Sequence, residues 1–432
     1  MSRRLVLTCC LFSLAVPPVF AAKTVRVSVD SDGNPTPSGL SDFGSISTTG
    51  RFAAFDSAAT TLVADDTNGR FDVFFRDLKK GKTTRVSVAS SGGQSEGGDS
   101  YFPSISGKGR FIAFESGATN LVDNDNNGGT DIFVHDRKTG ETTRASVASD
   151  GTEANGASEH ASISANGRYV AFVSYADNLV ADDHNGKADA FVHDRRTKET
   201  FRVSVGTNGT EAVEGSGTTV KISAKSRAVV FNSTSSDLVD LDTNGNADIF
   251  VHDWKTKQTT RVSVDSNGAQ TTAGDASDPA ISANGRFVSF ISNAPNLVAD
   301  DTNGMFDVFV HDRKTGITAR ASVDSNGTQV TDAHSQTPTL SRNGRFVLFE
   351  SSSAQLVALD TNNSTDVFVH DRKTGKTTRA SVASDGTQSA NPGAYYPAIS
   401  ANGKFAIFTS NATDLAGPDS NDTGDIFVRA FN

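Results

Sequence analysis

Cysteine is almost missing from this chain. Its 432 residues include two, Cys9 and Cys10, and both fall in the opening apolar stretch. Everything after that stretch lacks a thiol, so neither disulfides nor thiolate metal sites can hold it together. Tryptophan occurs once and methionine twice. Apolar runs long enough to span a bilayer are absent after Leu5 to Phe20, which argues against a multi-span membrane protein. No segment carries a helical period of 3.6. Basic charge is also scarce. There are 40 Lys and Arg, two of them Arg3 and Arg4, against 50 Asp and Glu. That balance argues against nucleic acid and anionic membrane surfaces as partners.

What is present begins with Arg3-Arg4, the apolar run Leu5 to Phe20 and the small-residue end Val19-Phe20-Ala21. This pattern predicts a secretory signal at 1–21 and a mature chain at 22–432, in the periplasm or outside the cell. An exported chain without disulfides must draw stability from a core, from closure of its fold or from metal.

The dominant feature is a repeat. An acidic, Asn/Gly-rich loop runs into an apolar strand, and the Asp at the junction recurs as Asp72, Asp131, Asp189, Asp248, Asp307, Asp366 and Asp425, with spacings of 59, 58, 59, 59, 59 and 59 residues. In the second copy, Pro103–Ser106 predicts a short strand a and Gly107-Lys108-Gly109 a tight turn. Arg110–Ser116 predicts strand b and Asp131–Asp136 strand c. Gly140 marks a hairpin turn and Thr142–Val147 predicts strand d. Four antiparallel strands in each of seven units predict an all-β, single closed seven-bladed β-propeller. The chain ends agree. The last unit stops at Asn432 without a strand d, while Thr24–Val29 matches strand d of the other copies. The N-terminal strand is therefore expected to close the last blade, leaving no unpaired unit.

The units Pro-x-Ile-Ser-x-x-Gly-Arg-Phe-Val-x-Phe, Asp-Val-Phe-Val-His-Asp-Arg-Lys-Thr-Gly and Thr-Thr-Arg-Val-Ser-Val resemble the TolB-type propeller repeat of exported bacterial proteins from Thr24 to Asn432. One departure is the a–b turn, where that family usually has Ser-Pro-Asp-Gly and this chain has sequences such as Ser164-Ala165-Asn166-Gly167. The resemblance implies a fold and leaves the activity open.

The acidic loop places oxygen side chains at positions 1, 3, 5 and 9 in two copies: Asp123, Asp125, Asn127, Asp131 and Asp240, Asp242, Asn244, Asp248. Alternate residues of a tight loop turn inward, and calcium takes six to eight such oxygens, so a structural calcium ion is expected. The loop also resembles that of integrin-type FG-GAP propellers. Copies with Ala at position 1 keep Asp66, Asn68, Asp72; Asp183, Asn185, Asp189; and Asp301, Asn303, Asp307. Asp360, Asn362, Asp366 and Asp419, Asn421, Asp425 lack the central Gly. The competing reading is that Asp and Asn cap turns with side-chain-to-backbone bonds.

Five histidines, His135, His193, His252, His311 and His370, share one repeat position, which is Arg76 and Arg429 in the other two blades. A shared hydrogen-bond donor role fits both residue types. The recurring Arg85, Arg144, Arg202, Arg261, Arg320 and Arg379 read as strand-d partners of acidic groups. No His-Glu-x-x-His motif is present.

Function is expected where the copies differ, just before strand a on the loop-rich face. The candidates are Asp42 and Phe43, Tyr101 and Phe102, Glu159 and His160, Asp278, His334 and Gln336, and Tyr395 and Tyr396. Two functions are consistent with them. One is a monomeric binding or scaffold propeller for a protein or glycan. The other is a metal-dependent polysaccharide lyase or hydrolase, which needs Glu159, His160 and His334 to converge.

Overall fold

The computed structural model describes residues 23–217, 219–225, 227–390, 393–417, 419, 421 and 423–431, so the expected signal lies outside the described residues. Strand β1 is Thr24–Arg26. The first blade is β2 (Ser41–Ile46), β3 (Phe52–Ser57), β4 (Asp72–Asp77) and β5 (Lys82–Arg85), paired in that order as strands a to d. Five more four-stranded blades follow. The last blade is β26 (Ala394–Ile399), β27 (Phe405–Ser410) and β28 (Asp425–Ala430), with β1 as its outer strand. Val25 pairs with Val428, so the chain ends zip the ring shut. The a strands of neighbouring blades face each other around a central channel. The described residues contain no helix, hence none long and apolar enough to cross a membrane.

The core lies between blades. Strand c is buried along its whole length in most copies, and its two faces serve different neighbours. Ile132 and Val134 join a cluster with Ala161 and Phe172 of the third blade. Phe133, between them, packs with Phe75 and Phe114 on the other side. A strand covered on both faces reads as a continuous apolar run. Every blade also holds a cross-strand Phe pair at one shared position, such as Phe55 with Phe74 or Phe231 with Phe250, with centroids about 6 Å apart.

Strand a starts earlier than the sequence reading expected: Ser100–Ile105 in the second blade, where Pro103–Ser106 was expected. A β-bulge splits it, with the register shifting between Tyr101 and Ser104. Proline at the bulge carries no N–H and hid the strand's first half from the pattern. Strand d is shorter than expected, Glu141–Arg144, because the chain then folds back through the Val147–Glu153 bridge.

The ring closure generates a prediction. Deleting residues 23–30 removes β1 and bares the edge of β28. The truncated chain should melt at least about 5 °C lower and elute partly as aggregates on size exclusion. An unchanged melting temperature and a clean monomer peak would contradict closure through β1.

Candidate functional site at the acidic loops and the channel mouth

At the head of each strand c sits a buried Asp, and in the second blade both of its oxygens accept hydrogen bonds. Asp131 Oδ1 accepts from Ser146 Oγ at 2.5 Å. Its Oδ2 accepts from Asn127 Nδ2 at 3.1 Å and from Arg144 Nη1 at 3.0 Å. Arg144 also stands 3.5 Å from Asp125. Asn127 donates to Ala154 O at 2.8 Å, tying the b–c loop to the d–a loop, and its own Oδ1 caps Gly129 N–H at 2.7 Å. The pattern recurs. Arg85 bridges Asp66 and Asp72, Arg202 bridges Asp183 and Asp189, and Arg261 bridges Asp242 and Asp248. Arg320 bridges Asp301 and Asp307, Arg379 bridges Asp360 and Asp366, and Arg26 bridges Asp419 and Asp425.

A guanidinium therefore lies between the position-3 and position-9 carboxylates of all seven blades. In six blades position 5 turns its amide nitrogen to the Asp and its oxygen to the backbone, and in the seventh Asn421 gives its nitrogen to Thr36 O. Asp123 and Asp240, the position-1 candidates, are exposed. Two groups carry an additional carboxylate. Asp125, Asp131 and Glu153, and Asp183, Asp189 and Glu211, each bring ligand oxygens within 4.8 Å of one another and could hold a metal ion. Burial, with Asp131 close by, pushes Asp125 up to about 6. Burial and Asp189 do the same to Asp183.

The equivalent histidines sit on the outer side of strand c. His135 Nδ1 lies 2.9 Å from Thr142 Oγ1, and that hydroxyl donates to Val88 O of the preceding blade. With its proton spent on the carbonyl, the hydroxyl can only accept, so Nδ1 carries the hydrogen. Arg76 donates to Thr83 in the same way at 2.6 Å, and Arg429 to Thr24 at 3.1 Å. Burial lowers these histidines, His193 and His252 to about 4. They clasp blade to blade as neutral donors.

The channel mouth is a cavity of about 380 Å³ to which all seven blades contribute. Each blade contributes one residue to the rim: Phe43, Phe102, His160, Thr219, Asp278, Thr337 and Tyr396. Six of them, all but Thr219, have left-handed backbone, with φ between 45° and 58°. The bulge creates this conformation and aims the side chain into the channel. Rings form an arc on one side. Phe43 lies 4.4 Å from Tyr396 and 4.2 Å from Phe102, and Phe102 lies 5.5 Å from His160. Lys221, Asp278 and Thr337 make the opposite side. Below them, Ile46, Ile105, Ile163, Ile222, Ile281, Leu340 and Ile399 form an apolar girdle.

Of the eleven expected ligand residues, Phe43, Phe102, His160, Asp278 and Tyr396 line this cavity. Asp42 stands behind it, accepting from Thr409 Oγ1 at 2.6 Å. Tyr101 turns away onto Phe71, and Glu159 adds its charge to that around Glu115. His334 and Gln336 line a separate side cavity, where His334 Nδ1 accepts from Phe306 N–H at 2.9 Å. The reason is the strand pleat. Of each adjacent pair, such as Tyr101 and Phe102, only the second faces the channel.

The sequence reading missed four residues. Asp56, Glu115 and Glu350 occupy the same strand-b position in three blades. They accept from Phe102, His160 and Tyr396 N–H of the following blade at 2.9, 2.8 and 2.8 Å. Burial pushes Asp56 well above the usual carboxylate range, Glu115 up to about 7, and Glu350 upward. Lys221 is the fourth. Solvent reaches it through the lumen while protein encloses it on all sides, and that desolvation lowers its ammonium, with Asp278 and Glu115 pulling the other way. Comparing the seven copies position by position would have flagged all four.

Two predictions follow from this geometry. Arg261→Met leaves Asp242 and Asp248 buried without their cation and should cost about 3–5 kcal/mol in denaturant unfolding; a loss below about 1 kcal/mol would show that the bridge is dispensable. Glu115 has a folded pKa near 7, above its ordinary 4.5. The folded state keeps the proton through that window, so this group's contribution to stability falls as pH rises from about 4.5 to about 7. Glu115→Gln keeps an acceptor for His160 N–H and should flatten that part of the pH–melting curve. A variant curve parallel to wild type would refute the shift.

No protein-family model matches the chain, and no curated protein matches its sequence. Solved structures match its shape. An oligogalacturonate lyase in complex with manganese superposes with a TM-score of 0.55 at 12% identity, covering 95% of this chain and 96% of that one. The β-propeller domain of the trilobed protease from Pyrococcus furiosus, described as having an open velcro topology, gives 0.54 at 11% identity over 92% and 94%. TolB from Acinetobacter baumannii gives 0.39 at 13% identity over 84% and 77%. At these identities the likeness concerns the propeller fold. Against the open velcro of the protease domain, this ring is closed by β1.

Proposed function

We propose that this chain is an exported, TolB-like propeller, periplasmic or extracellular, that acts as a binding module for a protein or glycan at its channel mouth. The observation that carries this reading is the two-sided mouth, rings on one side and Lys221 with Asp278 on the other, built from residues that break an otherwise strict repeat. Such a concave site with an apolar wall and few polar groups suits a small ligand or the tip of a larger one. The enzyme reading has less support. His160 and His334 line separate cavities, and neither belongs to a metal-ready group among the described residues.

Calcium fits this reading as a structural ion at the two three-carboxylate groups of the second and third blades. Two Asp and one Glu against one Arg leave a surplus of negative charge there. The other loops have an Arg for each buried Asp pair and less need of a cation.

Two measurements test the proposal. Peptide and glycan arrays probed with the pure protein should yield a binder that Phe102→Ala weakens by about tenfold, the loss of one aromatic contact; binders unaffected by that change would move the site elsewhere. EDTA should lower the melting temperature by a few degrees and calcium should restore it. No change, together with no metal by elemental analysis, would leave the guanidinium as the sole counter-ion.

A further inference from the structure

Lys221 departs from the repeat more sharply than any other lining residue. Its equivalents in the other blades are Ser45, Ser104, Ser162, Ala280, Thr339 and Ala398, all small. One ring position out of seven thus carries a long cation into the lumen. Among the described residues no hydrogen bond or ion pair is formed by its ammonium. Asp278 and Glu115 attract it from beyond contact distance. An ammonium that reaches the lumen with no protein acceptor is free to take one from a ligand in the well.

Of the nearby carboxylates, Asp278 has no hydrogen-bond partner among the described residues, and the others are engaged. Asp56, Glu115 and Glu350 accept backbone N–H groups, and Asp42 accepts Phe43 N–H and the Thr409 hydroxyl. A saccharide brings many hydroxyl donors and would find few free acceptors here. A ligand with one strong acceptor and an apolar flank matches better. The shape adds a constraint. The well lies on the axis of a closed ring and narrows below to the isoleucine–leucine girdle. It can take the end of a chain, while the middle of one would have to double back.

From these observations we infer that the mouth captures the C-terminal end of a polypeptide, with Lys221 pairing with the free carboxylate and the arc of Tyr396, Phe43, Phe102 and His160 taking the last side chain. The inference rests on the binding-module reading and narrows it to one class of partner. A charge-assisted pair between an ammonium and a carboxylate is among the stronger polar contacts available. Because the same acids would attract an amino terminus, the choice of terminus is the point to test.

The probe is an array of random hexapeptides in three forms: both ends free, C-terminally amidated and N-terminally acetylated. Wild type should bind a subset of the free and acetylated forms about tenfold or more above their amidated versions. Lys221→Ser reproduces the side chain of three other blades, so folding should tolerate it, and it should erase that preference. Lys221→Arg should retain most of it. Equal binding of amidated peptides, retention in Lys221→Ser, or loss on acetylation would overturn the inference while the binding module stands. Binding confined to a glycan array would have the same meaning. Failure to bind either array would overturn both.

Discussion

Strand c must be covered on both faces, and the rest of the structure depends on that. Its residues alternate between two neighbouring blades, Ile132 and Val134 to one side and Phe133 to the other. A blade alone would expose both apolar faces to water, and a linear stack would expose one at each end. Closure covers every face. That is why the N-terminal segment is spent on the last blade, and why Val27 belongs to the same cluster as Ile407, Ile426 and Phe55. It also explains where the repeat is strict. Strands b and c keep their apolar letters because each is wedged between two sheets. The inner strand a borders an open channel, and its letters drift.

Burying strand c creates an electrostatic difficulty at its first residue. A carboxylate such as Asp131 has lost its water and must find donors within the protein. The serine, asparagine and arginine that supply them come from strand d and from the loop itself, so one buried charge locks three segments together. The arginine lies thirteen residues beyond its aspartate, on a strand already paired to strand c, which lets short side chains meet without strain. This linkage does the work that disulfides do in many exported domains. A calcium loop and a guanidinium hub both gather inward oxygens from alternate loop residues, so spacing alone does not separate them. What separates them is the amide of position 5. It shows oxygen to a metal, and here it shows nitrogen to Asp131 and oxygen to the backbone, so an ion at this loop would rest on Asp125, Asp131 and Glu153 without Asn127.

Much of the scaffold was legible in the sequence because the same physics acts seven times. The pitch of the repeat, the positions of strands b and c, and the missing outer strand restored by Thr24–Arg26 all followed from pattern. So did the donor role of the shared His and Arg position, because arginine can only donate. Strand a was harder. Pro103 and its relatives read as strand starts, whereas they sit at a bulge with three strand residues before them. That misplacement had a consequence for the site. Without the bulge, the pleat could not be phased, and Tyr101, Glu159 and Gln336 were weighed equally with residues that reach the channel. The acids Asp56, Glu115 and Glu350 went unnoticed because they interrupt an apolar strand at a position that is also Val173, Asn232, Ile291 and Thr409.

Those acids bear on why a symmetric ring has a one-sided mouth. A left-handed backbone at Phe, His or Tyr costs on the order of 1–3 kcal/mol and persists only where surroundings enforce it. The four ring-bearing residues each have a carboxylate on their N–H: Phe102 from Asp56, His160 from Glu115, Tyr396 from Glu350, and Phe43 from its own neighbour Asp42. Asp278 and Thr337 adopt the same backbone, yet among the described residues no carboxylate accepts from their N–H. The bulge therefore does not require the acid. The acids sit where a ring must be aimed and are absent where it need not be, even though each one buries a group whose charge the interior disfavours. Packing alone gives no reason to hold four rings so firmly toward an open channel. The proposed binding role supplies one, a ligand held by the arc of blades seven, one, two and three with Lys221 facing it across the well.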